Sequence, residues 1–134
     1  MSKNIAIVMG AFHKKEVMEM LAEARRVAVE CGLNIVEEIW VAGSYEKPLA
    51  LKRVLSREDI AGVVVLGIIE RGETKHGLVM AEVVMSAIMD LELEYMKPVG
   101  IGILGPEILP DQIPSRLIPF ARAAVKATAE MIGV

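Results

Sequence analysis

Cysteine is scarce in this sequence, since Cys31 is the only one among 134 residues. A single cysteine cannot form a disulfide within the chain, and a small buried or half-buried thiol is ordinary just before Gly32. This usage fits a reducing compartment. The apolar N-terminal stretch reaches Lys14 and Lys15 too soon to span a membrane, and it lacks the layout of a signal peptide. We therefore expect a cytoplasmic protein with no membrane partner.

Positive charge is also limited. Lys and Arg number 15 against 18 Asp and Glu, which gives a formal net charge of -3 at pH 7. Binding along a nucleic acid backbone requires a basic surface that neutralises several phosphates, and the sequence offers no such stripe. We expect no nucleic-acid partner.

Several familiar catalytic motifs are missing. The sequence has no GxxxxGK[ST] phosphate loop, no GxGxxG after its first apolar run and no GxSxG segment. It also has no Cys and His cluster at metal-ligand spacing. These absences argue against nucleotide hydrolysis, zinc chemistry and the α/β-hydrolase reaction, and we expect no metal.

What the sequence does have is a regular alternation of two patterns. Short apolar runs predict strands at residues 4–9, 33–41, 61–69 and 98–104, the last ending at a turn that begins with Gly105. Helical periodicity predicts helices at residues 14–31, 46–55, 75–95 and 120–132. The third strand, AGVVVLGII, is apolar at consecutive positions, which is typical of a central strand covered on both faces.

This alternation predicts the fold class. We expect an α/β protein with three α/β/α layers, a flavodoxin-like four-stranded parallel sheet with helices on both faces, joined by right-handed crossovers. The length of the chain fits one domain, residues 1–134.

Apolar residues are more numerous than one small domain can bury. They make up 54% of the chain, and mean hydropathy is +0.47. In the long helix predicted at residues 75–95, apolar side chains cover more than one face, which requires burial on more than one side. We therefore expect a homo-oligomer.

The loops that follow the strands are the places to look for a ligand, because open parallel sheets bind ligands beyond the carboxyl ends of their strands. In the loop after the third strand, Gly72 permits a tight turn and Thr74 offers a hydroxyl ahead of a long helix, whose N-terminus suits a phosphate. Thr74 is alternatively a simple helix cap. His76 lies where it can carry protons for a substrate, or it is alternatively an exposed first-turn histidine.

The other loops carry further candidates. Phe12 offers an aromatic face for a planar heterocycle, with core packing as the alternative. His13 precedes two lysines on what resembles a solvated helix start, which argues against a direct role. Ser44 and Glu46 suit a polyol, or they form a plain helix N-terminus. Arg116 lies among prolines and apolar residues and suits a phosphate, with a surface ion pair as the alternative.

The order of these segments resembles the lumazine synthase family. IWVAGSYEKPLALKRVL is similar to that family's strand, PGxxE-x-P and helix pattern, and VVVLGIIERGETKHGLV is similar to its LG-to-TxH signature. Phe12 after the first strand, Pro98-Val99 at the fourth and Arg116 further on complete the likeness, which covers nearly the whole chain. The GETxH form and the Gly-Pro after the fourth strand resemble the archaeal branch.

The resemblance implies a role for each matching residue. Phe12 would stack on a pyrimidine whose polar edge is read by the backbone near Ile68 and Ile69. Glu46 and the backbone of Ser44 and Tyr45 would hold a ribityl chain. Gly72, Glu73 and Thr74 would hold a phosphate, with Arg116 from the adjacent subunit, and His76 would transfer protons.

The implied reaction joins 5-amino-6-(D-ribitylamino)uracil to 3,4-dihydroxy-2-butanone 4-phosphate, giving 6,7-dimethyl-8-ribityllumazine, phosphate and water. It needs no cofactor, and the family assembles as pentamers or multiples of pentamers. Three positions depart from the pattern. Ala42 replaces a proline, His13 an asparagine, and Ile101 a phenylalanine that closes the ring-stacking pocket in many members.

Two other functions are compatible with these loops. One is that of the related archaeal pentameric riboflavin synthase, which dismutates two lumazines, although the GETKH segment favours lumazine synthase. The other is a non-catalytic flavin or phosphate carrier, in which His76 would be idle.

Overall fold

The computed structural model describes residues 2–134, so Met1, with which the expected domain begins, lies outside the described residues. Its helices and strands alternate as predicted: β1 Asn4–Gly10, α1 Lys14–Glu30, β2 Asn34–Val41, α2 Lys47–Leu55, β3 Gly62–Glu70, α3 His76–Tyr95, β4 Val99–Ile108 and α4 Leu117–Ile132. Short 3₁₀ turns lie at Ser44–Glu46, Pro110–Gln112 and Pro114–Arg116.

The four strands form one parallel sheet in the order β2-β1-β3-β4. One apolar core lies between the sheet and helices α1 and α4, and a second lies between the opposite face and helices α2 and α3. The predicted three-layer, flavodoxin-like architecture is therefore confirmed.

The central position of β3 follows from its sequence. Val64 and Leu66 pack into the core beneath α1 and α4, whereas Val63 and Val65 pack into the core beneath α2 and α3. All four side chains are fully buried, which explains why the run is apolar at consecutive positions.

The predicted end of the fourth strand is wrong. The chain does not turn away at Gly105, because β4 continues to Ile108 and rejoins β3 at Glu70 after a shift in register. Gly105 has φ +102°, a conformation that favours glycine, and a side chain there would overlap the Ile69 carbonyl. A backbone hydrogen bond of 2.9 Å from Arg71 N to the Ile108 carbonyl secures the extension.

The predicted start of the last helix is also wrong. Helix α4 begins at Leu117 rather than at residue 120, so Pro119 lies in its first turn. Proline is compatible with that position because the first N–H groups of a helix have no acceptor within the helix. The proline therefore marks the beginning of α4 rather than a break before it.

Helix α3 is apolar on more than one side, as predicted. Its inward face, Gly77, Ala81, Val84, Ile88 and Leu91, is buried against the sheet and α2. On its outer side Val79, Val83, Met89 and Leu93 remain 46–67% exposed within one chain. No helix in residues 2–134 has both the length and the apolar character needed to cross a membrane.

Lys47 is a charged residue on the buried face of α2. It shares that face with Leu51, Val54 and Leu55, and it is only 1% exposed. Burial lowers the pKa of the Lys47 ammonium from 10.5 to about 8, because the charged form loses hydration that the interior does not replace.

Helix α4 approaches the sheet where glycines leave room for it. A Cβ atom added at Gly100 of β4 would lie 2.9 Å from the Ala124 carbonyl carbon and would overlap the hydroxyl of buried Thr128. That hydroxyl donates a 2.9 Å hydrogen bond to the Ala124 carbonyl of the same helix, so an added methyl group would meet two hydrogen-bonded oxygens of α4 at once.

We predict that Gly100→Ala lowers the free energy of unfolding by about 3 kcal/mol, because the added methyl group must displace backbone rather than a flexible side chain. Gly133→Ala is the matched control, since an added Cβ there lies 3.4 Å from its nearest neighbour at an exposed helix end. Chemical denaturation of both variants at equal concentration measures the difference. Equal stabilities would contradict the close contact between α4 and β4.

We also predict that Lys47→Met raises the free energy of unfolding at pH 7 by about 3 kcal/mol, because a pKa lowered from 10.5 to about 8 reports the cost of burying the charge. That cost is complete below pH 8. It disappears between pH 8 and 10.5, where only the unfolded chain keeps the proton, so wild-type stability rises toward that of the variant. Exposed Lys52→Met on the same helix is the control. If the difference in free energy of unfolding between wild type and Lys47→Met stays constant from pH 8 to 10.5, the prediction is refuted.

Candidate active site

A cavity of about 420 Å³ opens at the carboxyl ends of β1 and β3. The chain leaves β1 toward β2 on one side and leaves β3 toward β4 on the other, so the strand order reverses between these two strands. A reversal of this kind leaves a crevice that binds ligands in open α/β sheets. Four separate segments contribute to the lining: Phe12; Ala42, Gly43 and Ser44; residues 68–72; and Thr74, His76, Gly77 and Met80.

Phe12 lies at the mouth of the cavity. Its side chain is 55% exposed, so the alternative that placed Phe12 in the core is wrong. The ring meets that of His13 edge to face, with centroids 4.5 Å apart and planes at 72°. Its exposed position leaves a face for a planar ligand.

His13 is not the solvated residue that the sequence indicated. Its Nε2 atom lies 2.8 Å from Oε2 of Glu70, and both side chains are only 24% exposed. The pair joins the end of β1 to the end of β3 across the crevice. It thereby fixes one edge of the cavity and holds the His13 ring against that of Phe12.

The start of α3 carries His76 to the cavity. Gly77 makes this possible, because a Cβ atom there would lie 2.5 Å from the carbonyl oxygen of Glu70. The Thr74 hydroxyl accepts a hydrogen bond of 3.2 Å from the His76 backbone N–H, so it satisfies a first-turn amide and lines the cavity as well. The His76 ring is exposed toward the cavity, with its centroid 6.2 Å from that of Tyr45.

A second depression adjoins the first. It is lined by residues 71–75 with Glu107 and Leu109, and Arg71, Gly72 and Thr74 border both spaces. Gly72 has φ +65°, as expected for a glycine that permits a tight turn. Two cations, Arg71 and Lys75, and two carboxylates, Glu73 and Glu107, line this space beside the start of α3, and Glu107 lies 3.5 Å from Arg71. The N-terminus of α3 and the two cations are the groups here that suit an oxyanion.

The 3₁₀ turn at Ser44–Glu46 forms another wall. Ser44 is buried and lines the cavity, whereas Tyr45 and Glu46 are exposed beside it. The carboxylate of Glu46 lies close to Gly43, since an added Cβ there would be 3.4 Å from Oε1. This turn therefore brings a buried hydroxyl and an exposed carboxylate to one side of the cavity.

Two residues in or behind the lining of the cavity were missed by sequence reasoning. Glu70 pairs with His13, and Lys47 donates a hydrogen bond of 3.2 Å from Nζ to the Ser44 hydroxyl. The spacing of Lys47 from Leu51 and Val54 is a signal that places it on the buried face of a helix. Nothing in the sequence pattern indicates the pairing of Glu70.

Five candidate residues do not line this cavity in their own chain: Tyr45 and Glu46 lie beside it, and the other three are Glu73, Ile101 and Arg116. Ile101 pairs with Val65 inside the sheet and packs against the core beneath α2 and α3. Glu73 lies in the adjoining depression. Arg116 lies in a separate depression of about 270 Å³.

Arg116 also has no partner of opposite charge. Its guanidinium donates to the Gln112 carbonyl at 2.8 Å, and it pairs with no carboxylate of residues 2–134. The surface ion pair suggested as an alternative is therefore wrong within one chain. Across residues 2–134, moreover, no three His, Cys, Asp or Glu side chains are grouped to hold a metal ion.

Comparison with known proteins agrees with this geometry. The family model described as 6,7-dimethyl-8-ribityllumazine synthase matches residues 2–134. Proteins of that name from Staphylothermus marinus, Methanopyrus kandleri and Picrophilus torridus are 41%, 36% and 39% identical over 128 residues. These alignments cover 96% of this chain and 85%, 90% and 93% of the respective relatives. The chain therefore belongs to the 6,7-dimethyl-8-ribityllumazine synthase family, whose members act in riboflavin biosynthesis.

Proposed function

We propose that this enzyme condenses 5-amino-6-(D-ribitylamino)uracil with 3,4-dihydroxy-2-butanone 4-phosphate to form 6,7-dimethyl-8-ribityllumazine. The observation that carries the proposal is the cavity between β1 and β3, which joins an exposed aromatic ring, a buried hydroxyl and a histidine. These groups lie in a chain whose match to the family covers residues 2–134.

The proposed substrate positions follow the chemistry of the lining. The pyrimidine stacks on Phe12, and the backbone near Ile68 and Ile69 reads its polar edge. The ribityl chain extends toward Ser44, Tyr45 and Glu46, where hydroxyl and carboxylate groups suit a polyol. The phosphate occupies the depression beside Gly72, Glu73 and Thr74, close to the start of α3.

The reaction then needs positioning and proton transfer more than a reactive side chain. The amine of the uracil attacks the ketone and forms an imine with loss of water. Elimination releases phosphate, the enol tautomerises, and ring closure releases a second water. Each step moves a proton, and His76 is the proposed carrier because it lines the cavity.

We also propose that the enzyme is a homo-oligomer built from pentamers, located in the cytoplasm. Two observations support the oligomer: the apolar outer side of α3 is exposed, and Arg116 has no carboxylate partner within residues 2–134. A neighbouring subunit would cover α3 and bring its Arg116 to the phosphate. A ring repeats such a head-to-tail contact at every boundary. The unpaired Cys31 favours the cytoplasmic location.

We predict that purified enzyme given both precursors forms fluorescent lumazine. His76→Ala should lower kcat by about 10²-fold, because general acid-base catalysis is lost. Substrate dissociation constants should change little. Normal kcat with weakened binding would contradict the proton-transfer role. Incubation with lumazine alone is the control for dismutation, since formation of riboflavin there would indicate the related synthase instead.

Mixing of variant chains tests whether the active site is shared between neighbouring subunits. His76→Ala and Arg116→Ala chains are each nearly inactive alone, but their co-assembly restores part of the activity, because some boundaries then pair an intact His76 with an intact Arg116. Activity is measured after mixed assemblies have been isolated through a tag on one chain. Assemblies of His76→Ala with a His76→Ala, Arg116→Ala double variant are the control and should stay inactive. An active monomer at micromolar concentration, or no recovery in mixed assemblies, would refute the arrangement.

A further inference from the structure

The buried amine of Lys47 lies under the wall of the cavity. Its side chain is 1% exposed, and Nζ donates to the Ser44 hydroxyl at 3.2 Å. Two strand glycines make the space that it occupies. A Cβ atom at Gly10 would lie 3.1 Å from its Cε, and one at Gly67 would overlap Nζ itself. Lys47 thus fills a gap in the sheet surface directly behind Ser44.

No opposite charge compensates this amine. Within residues 2–134, Nζ has neither a carboxylate partner nor a second recorded acceptor. The lowered pKa of Lys47 has burial as its only cause. The ionisable groups on the segments packed around it are Tyr45 and Glu46 of the 3₁₀ turn, Lys52 and Arg53 of α2, His13 after β1, Glu70 of β3 and His76 of α3.

The direction of the hydrogen bond determines what Ser44 can do. An ammonium group has three N–H donors and no acceptor, so the Ser44 oxygen must accept from it. The hydroxyl hydrogen of Ser44 then points away from Nζ. No acceptor within the described residues receives it, and Ser44 lines the cavity. A charged Lys47 therefore commits Ser44 to act as a donor toward the cavity.

We propose that Lys47 is a positioning residue that holds the Ser44 hydroxyl as a hydrogen-bond donor to an acceptor oxygen of the bound substrate. This inference rests on the proposed function, which places a ribityl oxygen beside Ser44, but the geometry itself requires only an acceptor oxygen. Lys47 does not contact the substrate, because Ser44 separates it from the cavity.

This arrangement makes substrate binding sensitive to the protonation of Lys47. A neutral amine can accept a hydrogen bond, so after deprotonation the Ser44 hydrogen is free to turn toward Nζ. The donor toward the cavity is then lost. Since the pKa of Lys47 is about 8, affinity is highest below pH 8 and falls as the pH rises through that value.

The kinetic test compares Lys47→Met, Ser44→Ala and their double variant with wild type, and uses exposed Lys52→Met as the control. We expect each single variant to raise KM for the ribitylaminouracil about tenfold with little change in kcat, as for loss of one hydrogen bond. The double variant should be no worse than either single variant. Wild-type KM should rise above pH 8, and that of Lys47→Met should not. Additive losses, or equal pH profiles, would overturn the inference.

An NMR test separates this inference from the proposed function. Titration of the Lys47 ¹³Cε signal in the free protein should show that Ser44→Ala lowers the Lys47 pKa further, because the ammonium loses its acceptor. Bound ribitylaminouracil should raise that pKa by about one unit, since a tenfold preference for the charged form must be reciprocal. An unchanged pKa in Ser44→Ala overturns the inference even if lumazine forms. If the Lys47 pKa changes in Ser44→Ala but the wild-type enzyme forms no lumazine, only the proposed function is contradicted.

Discussion

The pairing of β1 with β3 is the contact on which the site depends. Residues Ile5 to Met9 align with Gly62 to Leu66, and the side chains of both strands are buried on both faces of the sheet. A slip of one residue would exchange the side chains that face the two cores, so this register is strongly specified. The same pairing brings the loops after β1 and β3 together. The cavity between Phe12 and residues 68–72 is therefore a consequence of core packing.

The His13 and Glu70 pair shows how the walls of this crevice are held. Parallel strands are hydrogen-bonded only along their length, so the loops beyond them need contacts of their own. The pair spans β1 and β3 in a partly buried setting, where a hydrogen bond is electrostatically stronger than at the surface. His13 also packs edge to face against the ring of Phe12. One polar contact therefore closes an edge of the cavity and positions its aromatic side chain.

The fold was predictable from the sequence because periodicity records which faces are buried. Consecutive apolar residues identified β3 as a central strand, and spacing of three and four residues identified the helices. The extension of β4 to Ile108 was not predictable, because Gly-Pro is also typical of a turn, and only contact with β3 decides between them. The partner of Glu70 was hidden for the same reason. His13 lies 57 residues away in sequence, and no local pattern encodes that contact.

Lys47 was missed for a different reason, since its spacing does predict burial but its charge argues against it. Burial of Leu51, Val54 and Leu55 on the same face contributes roughly 1.5 kcal/mol or more for each side chain, which exceeds the cost of about 3 kcal/mol for the buried ammonium. Helix α2 can therefore dock despite Lys47. An apolar side chain in its place would dock α2 more tightly, so Lys47 does not serve stability. Within the described residues, its one hydrogen bond goes to Ser44, which lines the cavity. The charge of Lys47 therefore serves the site rather than the stability of the core.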